Sequence, residues 1–220
     1  MTKVDLRING LVDGDNLGAD RLPELAAIAA RNGATLIQYR DKNAGTRAMV
    51  ERARAIHQAL AGTGVPLLVN DRIDVALAAG VEGVHIGRED MLPADARRLL
   101  GPDKIIGLTV KNASDADIAA AAEIDYACIG GVFATLSKNN PDAPVGLAGL
   151  TELSARIRAK KPGLPIGAIA GIDLLTAPQA ITAGADGVAV ISAIFRAEDV
   201  AAATRQLRTV VDAALAGRRS

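Results

Sequence analysis

Short apolar runs alternate with alanine-rich segments along the whole chain. The apolar runs have the length and β-branched content of buried strands, and the alanine-rich segments place apolar residues three and four positions apart, as amphipathic helices do. This pattern predicts strands at residues 5–12, 35–39, 66–69, 83–86, 105–109, 126–130, 166–169 and 187–191. It predicts helices at residues 22–31, 46–60, 73–79, 94–100, 115–122, 147–159, 175–183 and 199–215.

The strict alternation of strand and helix predicts a parallel sheet, because parallel neighbours need a helical crossover. A closed (β/α)8 TIM barrel would use every predicted strand and leave no exposed edge, whereas an open doubly wound sheet is the alternative. We favour the barrel, an α/β fold that commonly occupies roughly 200–250 residues. No linker interrupts the pattern, so we predict one TIM-barrel domain over residues 1–220.

Composition narrows the class of function. Lys and Arg equal Asp and Glu at 25 each, so no basic field attracts a nucleic acid or an anionic membrane. Aromatic residues make up only 2% of the chain, which disfavours base stacking on single strands. Cys128 is the single cysteine, and the N-terminus lacks the apolar core of a signal peptide. We therefore expect a cytoplasmic protein that acts on small molecules and binds neither nucleic acid nor membrane.

Polar residues gather just after the predicted strands, where the active sites of α/β barrels form. Gln38, Arg40 and Lys42 follow the second strand at a spacing of two, so near-strand geometry would point all three the same way. Three converging donors, two of them cationic, suit an oxyanion such as pyrophosphate. The alternative is that Arg40 and Lys42 form ion pairs with Asp41 and other acids at the barrel rim.

Asp71 and Asp90 stand near the ends of the adjacent third and fourth predicted strands. Two carboxylates at a barrel mouth, together with phosphate oxygens and water, are a usual way of holding Mg²⁺. Each could instead cap the helix that follows it. Asn70 favours the metal site, because an Asn at a strand end has no capping role when Asp71 already provides one.

The connection after the sixth predicted strand, residues 135–142, is long and polar, and Lys138 is a candidate to stabilise charge on a leaving phosphate. Small residues around Gly171 and Ser192 follow the last two strands, where barrels commonly bind phosphate through backbone amides. Surface exposure and tight turns are the alternatives for these segments. His85 ends a strand and could contact substrate or make a structural hydrogen bond, and it has no Ser or Cys partner that suggests a catalytic triad.

Seven segments resemble the successive signatures of the thiamine phosphate synthase family, in the family's order and spacing. They cover most of the chain between residues 35 and 195, and together they form a specific pattern although each alone is weak. They are residues 36–42 (LIQYRDK), 69–72 (VNDR), 83–90 (GVHIGRED), 106–109 (IGLT), 131–138 (GVFATLSK), 168–172 (AIAGI) and 187–192 (GVAVIS).

The resemblance implies that the pyrophosphate ester of 4-amino-5-hydroxymethyl-2-methylpyrimidine alkylates a thiazole phosphate, or its carboxylate, to give thiamine phosphate and pyrophosphate. By similarity, the pyrophosphate would be held by Gln38, Arg40, Lys42, Asn70 and Lys138, and Mg²⁺ by Asp71 and Asp90. Thr109 would contact the pyrophosphate or the pyrimidine. The thiazole phosphate would be bound by Thr135, Ser137 and the backbone at Gly171, Ile191 and Ser192. The residues expected to take part in catalysis are Lys138, Arg40 and Thr109.

The chain departs from the family pattern at a few of these positions. Arg88 stands where Gln is more common, which adds charge beside the proposed metal site. Thr109 replaces a commoner Ser, Ser137 replaces Thr, and Ala170 replaces the first Gly of a usual Gly-Gly-Ile. None of these changes removes a group that the reaction requires.

Other functions remain open at this stage. A thiazole tautomerase-like paralogue has the same fold but does not need the pyrophosphate cations or the paired acids. A different phosphate-binding barrel, such as an epimerase or an indole-type synthase, would need a catalytic Asp, Glu or Lys inside the strands. A non-catalytic phosphate-ligand-binding barrel would release no pyrophosphate. The sequence leaves open whether the protein forms a homo-oligomer.

Overall fold

Eight parallel strands close into a barrel in chain order, β1 to β8, in the computed structural model, which describes residues 4–135 and 143–218. The closed barrel confirms the predicted TIM barrel over the open doubly wound sheet. The strands are β1 (Ile8–Asp13), β2 (Leu36–Arg40), β3 (Leu67–Asn70), β4 (Gly83–Ile86), β5 (Ile105–Val110), β6 (Tyr126–Ile129), β7 (Ile166–Ile169) and β8 (Gly187–Val190).

Helices follow the strands and cover the outside of the barrel. They are α1 (Gly14–Leu17), α2 (Leu22–Arg31), α3 (Thr46–Ala59), α4 (Ile73–Ala79), α5 (Pro93–Leu100), α6 (Ala113–Ala121), α7 (Gly146–Lys160), α8 (Ala177–Thr182), α9 (Ser192–Phe195) and α10 (Val200–Arg218). The sequence did not predict α1 and α9, because helices of four residues are too short to show a period. Within the described ranges, none of the helices is both long and apolar enough to span a membrane.

The first strand begins three residues later than predicted, at Ile8 rather than at residue 5. Val4 and Leu6 are buried, at 7% and 3% exposure, but they do not belong to the sheet. They join Leu36 and Tyr126 in an apolar cluster inside the barrel. The segment before β1 is therefore apolar because it fills the barrel interior, and that burial produced a strand-like pattern.

The barrel has an apolar layer on each side of its wall. The larger layer packs the outer strand faces against the helices, and the smaller cluster lies inside the barrel. Inward-facing residues of the inner cluster include Leu11, Leu68 and Cys128. Polar residues lie further along the strands, toward the carboxyl ends. The interior is thus apolar at one end and open and polar at the other, which positions the site.

Candidate active site

A cavity opens at the carboxyl ends of the strands and extends into the barrel. The predicted site residues that line it are Gln38, Arg40, Asn70, Thr109, Thr135, Gly171, Ile191 and Ser192. Ser137 and Lys138 lie outside the residues that the structure describes. The fold therefore brings together, around one space, predicted site residues that are up to 154 positions apart, as from Gln38 to Ser192.

Arg40, the last residue of β2, lies between two acids at the ends of neighbouring segments. Its Nη1 is 3.2 Å from both carboxylate oxygens of Asp13 and 3.2 Å from Asp15 Oδ2. Asp13 is fully buried, and the β1–β2 register sets it directly beside Arg40. These contacts all use Nη1, so the rest of the guanidinium can donate to an anion in the cavity. The acids thus hold Arg40 in place, as the alternative of ion pairs with rim acids expected, although Asp41 is not among the partners of Arg40.

Asp41 and Lys42 continue the chain beyond the strand in different directions. Asp41 is turned away from the cavity and contacts Arg52 Nη1 at 2.5 Å. Because β2 ends at Arg40, the strand geometry assumed for Lys42 does not reach it, and Lys42 is absent from the cavity lining. Its ammonium group instead forms an ion pair with Asp71 at the rim. The prediction that three donors point the same way is therefore wrong for Lys42.

Asp71 and Asp90 face each other beside the cavity. Burial raises the pKa of Asp90 above its usual range, and a hydrogen bond with Asp71 raises it further. The backbone amide of Gly87 donates to Asp90 Oδ2 at 2.7 Å and fixes that carboxylate. Neither acid caps a helix, because Arg72 and Leu92 occupy the N-cap positions of α4 and α5 and neither end has a side-chain cap.

The backbone of Asp71 is unusual, with φ of 63°. Such left-handed geometry is tolerated by Asp better than by most residues that have a Cβ. The Asp71 amide donates to His85 O at 2.8 Å, which extends the contact between β3 and β4 by one residue. Asn70, which precedes it in β3, lines the cavity. The turn therefore places Asn70 and Asp71 on the same rim without using Asp71 as a cap.

Three side chains from neighbouring strands form a hydrogen-bonded chain inside the barrel. His85 Nδ1 lies 2.8 Å from the Tyr126 hydroxyl, and His85 Nε2 lies 2.8 Å from Thr109 Oγ1. Burial raises the pKa of Tyr126 well above its ordinary value, so its hydroxyl stays protonated. We assign the His85 tautomer in which the Tyr126 hydroxyl donates to Nδ1 and Nε2–H donates to Thr109, which leaves the Thr109 hydroxyl hydrogen to donate into the cavity.

Glycines leave space for the hydrogen-bonded side chains of Tyr126 and Thr109. A Cβ on Gly107 would lie 2.1 Å from the Tyr126 ring, and one on Gly130 would lie 3.1 Å from the Thr109 methyl group. Tyr126 therefore crosses the interior only because β5 carries no side chain at residue 107. These close approaches account for glycine at residue 107 in β5 and at residue 130 directly after β6.

The opposite side of the cavity is formed by the ends of β6, β7 and β8. Gly171 has φ of 64°, and a Cβ there would lie 2.5 Å from the Ala134 carbonyl oxygen. Ala170 has φ of 89°, although it carries a Cβ. This closely packed turn brings backbone from residues 170 to 172 to the cavity edge beside Ser192, which begins α9.

Arg88, the unusual residue near the acids, forms an ion pair. Its Nε and Nη2 donate to the two carboxylate oxygens of Asp115 at 3.2 and 3.0 Å. Asp115 also accepts from the Lys111 amide at 2.9 Å. The charge that Arg88 adds beside the acid pair is therefore compensated by a carboxylate on α6.

Three polar residues of this site were given no role from the sequence. Asn9 and Lys111 line the cavity, and Asp13 supports Arg40. Asn9, Leu11 and Asp13 alternate along β1, and this spacing of two was the available signal for an inward face. Among the residues that the structure describes, no group of three or more His, Cys, Asp or Glu could hold a metal ion. Any metal at the acid pair would need ligands from the substrate or from water.

Comparison with known proteins identifies similar sequences over nearly the whole chain. A family model described as thiamine monophosphate synthase matches residues 11–194. The thiamine-phosphate synthase of Agrobacterium fabrum (strain C58 / ATCC 33970) is 60% identical over 218 residues, which cover 99% of both chains. The thiamine-phosphate synthase of Chloroflexus aurantiacus (strain ATCC 29366 / DSM 635 / J-10-fl) is 46% identical and covers 81% of this chain and 80% of its own length.

A solved structure is similar as well. The thiamine phosphate pyrophosphorylase from Pyrococcus furiosus superimposes with a TM-score of 0.84 at 35% sequence identity. The match covers 98% of this chain and all of the other. The similarity in sequence and the similarity in fold therefore extend over the same residues, including those that form the cavity.

Proposed function

The chain belongs to the thiamine monophosphate synthase family, and we propose that it joins an aminopyrimidine pyrophosphate ester to a thiazole phosphate, or its carboxylate. The products are thiamine phosphate and pyrophosphate, and the enzyme is a transferase of thiamine biosynthesis. The proposal rests on one observation: two cations, Arg40 and Lys42, lie with the acid pair Asp71 and Asp90 at one mouth of the barrel. The substrates are small molecules, and we propose that the reaction takes place in the cytoplasm.

The pyrophosphate group is bound at the β2–β3 side of the cavity. Arg40 offers the N–H groups of its guanidinium that Asp13 does not engage, and Asn70 offers a side-chain amide from the next strand. Lys42 reaches the same rim through its contact with Asp71. Gln38 completes this side within the barrel. By family similarity, Lys138 also contacts the pyrophosphate.

The acid pair is a suitable site for Mg²⁺. Two facing carboxylates are hard oxygen ligands, which Mg²⁺ prefers, and this ion commonly takes its remaining ligands from phosphate and water. Burial raises the pKa of Asp90 and the nearby Asp71 carboxylate raises it further, and a divalent cation would offset both effects by favouring the charged form. Asp71 and Asp90 would hold the ion, and when bound it would neutralise charge on the leaving pyrophosphate.

The thiazole phosphate is bound across the cavity. Thr135 and Ser192 supply hydroxyl groups, and the backbone at Gly171 and Ile191 supplies further polar contacts. Ser137 is assigned to this group by family similarity. The two phosphate-binding sides lie on opposite parts of one barrel mouth, so the thiazole nitrogen can approach the carbon that bears the pyrophosphate.

The chemical step exchanges one bond for another. The C–O bond between the pyrimidine methylene and pyrophosphate breaks, and its electron pair leaves with the pyrophosphate. The amino group stabilises the resulting pyrimidine cation, and the thiazole nitrogen lone pair forms the new C–N bond. Arg40, Thr109 and Lys138 are assigned to catalysis because they stabilise charge on the departing group. No proton is removed from carbon, which agrees with His85 acting on Thr109 rather than as a base.

Product analysis with both substrates tests this function and separates it from the alternatives. We expect thiamine phosphate and pyrophosphate in equal amounts, with neither formed when one substrate is omitted. Isomerisation of a thiazole carboxylate phosphate in the absence of the pyrimidine would instead indicate a tautomerase. Saturable binding of both ligands to folded protein without any product would indicate a non-catalytic barrel. Either result would overturn the proposed reaction.

A further inference from the structure

Lys111 lines the cavity at the carboxyl end of β5. It directly follows Val110, the last residue of that strand, and lies two positions after Thr109. Both Thr109 and Lys111 line the cavity, so the two side chains share the inner side of the barrel wall. Lys111 is half-buried rather than enclosed, and a ligand in the cavity can therefore reach it.

Gly130 leaves the space in which the Lys111 side chain lies. A Cβ on Gly130 would lie 3.5 Å from Lys111 Cγ, 3.7 Å from Lys111 Cε and 3.1 Å from the Thr109 methyl group. The methylene groups of Lys111 therefore pack against the backbone that follows β6. The Lys111 amide donates to the buried carboxylate of Asp115 at 2.9 Å, which fixes the base of the side chain. The packing places the ammonium group at the β6 side of the cavity.

The segment after β6 belongs to the side of the cavity that we assign to the thiazole phosphate. The Phe133 amide donates to the carbonyl oxygen of Ala170 at 3.1 Å, which joins this segment to the turn after β7. Thr135, further along the segment, lines the cavity. Lys111 thus lies beside backbone that leads directly to groups proposed to bind that phosphate.

Positive charge is unevenly distributed around the cavity. In the described part of the chain, the cationic residues that line it are Arg40 and Lys111. Arg40 contacts the carboxylates of Asp13 and Asp15 on the pyrophosphate side. The described groups assigned to the thiazole phosphate are hydroxyls and backbone, which carry no net charge. A phosphate that leaves water for a partly enclosed cavity is stabilised by a cation close to it, and Lys111 is suitably placed to provide one.

We propose that Lys111 is a further substrate-binding residue, whose ammonium group binds the phosphate of the thiazole substrate. The ammonium group donates charge-assisted hydrogen bonds to the phosphate oxygens, while the hydroxyl and backbone groups orient the same phosphate. This assignment adds a positive charge to a subsite for which the sequence indicated only neutral groups. It rests on the proposed function, because that function supplies the thiazole phosphate.

Binding of the thiazole substrate without turnover tests the assignment. Calorimetric titrations in the presence of Mg²⁺ and inorganic pyrophosphate would compare thiazole phosphate with the thiazole alcohol that lacks the phosphate. In Lys111→Met we expect the Kd of thiazole phosphate to rise about tenfold, and that of the alcohol to change by less than about twofold. Lys111→Arg keeps the charge and should bind thiazole phosphate within about threefold of wild type. If Lys111→Met does not fold, Lys111→Gln provides the same comparison.

Lys104→Met is the matched control, because it removes the same charge at the opposite end of β5. Lys104 directly precedes β5, its ammonium group donates to the carbonyl oxygen of Val81 at 2.6 Å, and it does not line the cavity. Lys104→Met should bind both thiazole compounds as wild type does. A second titration, of inorganic pyrophosphate with Mg²⁺ alone, distinguishes the two phosphate-bearing substrates, and its Kd should change by less than about twofold in Lys111→Met.

Three results would overturn the inference. They are equal affinity of wild type and Lys111→Met for thiazole phosphate, equal weakening of thiazole phosphate and the alcohol, and weakening confined to pyrophosphate. Wild type that binds both ligands but forms no product from the two substrates contradicts the proposed reaction and leaves the Lys111 comparison intact. Active wild type whose Lys111→Met variant binds thiazole phosphate normally contradicts only the role of Lys111.

Discussion

His85 Nε2 lies 2.8 Å from Thr109 Oγ1, on the adjacent strand of the barrel. The fully buried Tyr126 hydroxyl fixes the other imidazole nitrogen at 2.8 Å. In the tautomer assigned above, Tyr126 donates to His85, the imidazole donates to Thr109, and the Thr109 hydroxyl is oriented as a donor toward the cavity. A residue outside the cavity lining thereby determines the orientation of one that lines the cavity.

Removing the Tyr126 hydroxyl should lower activity. In Tyr126→Phe, His85 loses the hydroxyl that contacts Nδ1, so the orientation of Thr109 as a donor is less firmly held. We expect kcat/KM to fall by about fivefold to tenfold, which corresponds to roughly 1 kcal/mol for one neutral hydrogen bond. Steady-state rates of pyrophosphate release, measured with each substrate varied in turn, check this expectation.

Tyr39→Phe is the matched control for Tyr126→Phe. The Tyr39 hydroxyl is also buried, but it contacts Asp41 at 3.1 Å and does not line the cavity. Each variant should lose about 1 kcal/mol of unfolding free energy, and only Tyr126→Phe should lose activity. Unchanged activity in Tyr126→Phe, or equal loss in both variants, would contradict the positioning role of Tyr126.

The alternation of strands and helices predicted the barrel because each strand is buried on both sides and each crossover needs an amphipathic helix. The local boundaries were harder to predict. Val4 and Leu6 resemble strand residues because they are buried, yet they fill the barrel interior without pairing. Leu175 is 79% exposed and precedes α8, although its apolar character placed it within the predicted helix. Hydrophobicity indicates burial in one case and not in the other, and only the packed structure distinguishes them.

Ala170→Gly should stabilise the protein. Ala170 has φ of 89°, a conformation that a residue with a Cβ adopts only at a cost. Glycine removes this strain but adds freedom to the unfolded chain, so we expect a net gain of about 0.5–1 kcal/mol. Thermal and denaturant unfolding measure the change.

Ala168→Gly provides a comparison from the same segment. Ala168 lies within β7, is fully buried and does not have a positive φ. Glycine at this position should destabilise the protein by roughly 0.5–1 kcal/mol or more, because it adds flexibility and removes a buried methyl group. If Ala170→Gly destabilises the protein as much as Ala168→Gly does, strain at Ala170 is not significant.

Arg88→Gln should have little effect on Mg²⁺ dependence. Asp115 compensates the Arg88 charge, and the Arg88 side chain is 55% exposed. We therefore expect a stability change below about 1 kcal/mol and less than about a twofold change in the Mg²⁺ concentration for half-maximal activity. Asp115→Asn should be more damaging, since Asp115 is buried and also accepts from the Lys111 amide. A several-fold shift in the Mg²⁺ requirement of Arg88→Gln would show that its charge acts on the acid pair.

The sequence identified many residues that surround the cavity because polar residues at strand ends are conspicuous between apolar runs. It could not assign their partners. Because β2 ends at Arg40, Lys42 does not continue the strand and instead pairs with Asp71. Arg40 pairs with Asp13 and Asp15 rather than with Asp41. These pairings depend on which strands become neighbours in space, whereas spacing along the chain reports only local geometry.

The most direct test of the account is pyrophosphate release from both substrates, with and without Mg²⁺, by wild type, Asp71→Asn and Asp74→Asn. Asp74, on α4, is the control, because its side chain is 58% exposed and pairs with the N-cap residue Arg72. We expect release by wild type to require the thiazole phosphate and Mg²⁺, and to fall by about two orders of magnitude in Asp71→Asn but not in Asp74→Asn. Release that persists without Mg²⁺, or an Asp71→Asn variant as active as wild type, would contradict a metal-assisted synthase with Asp71 in its metal site.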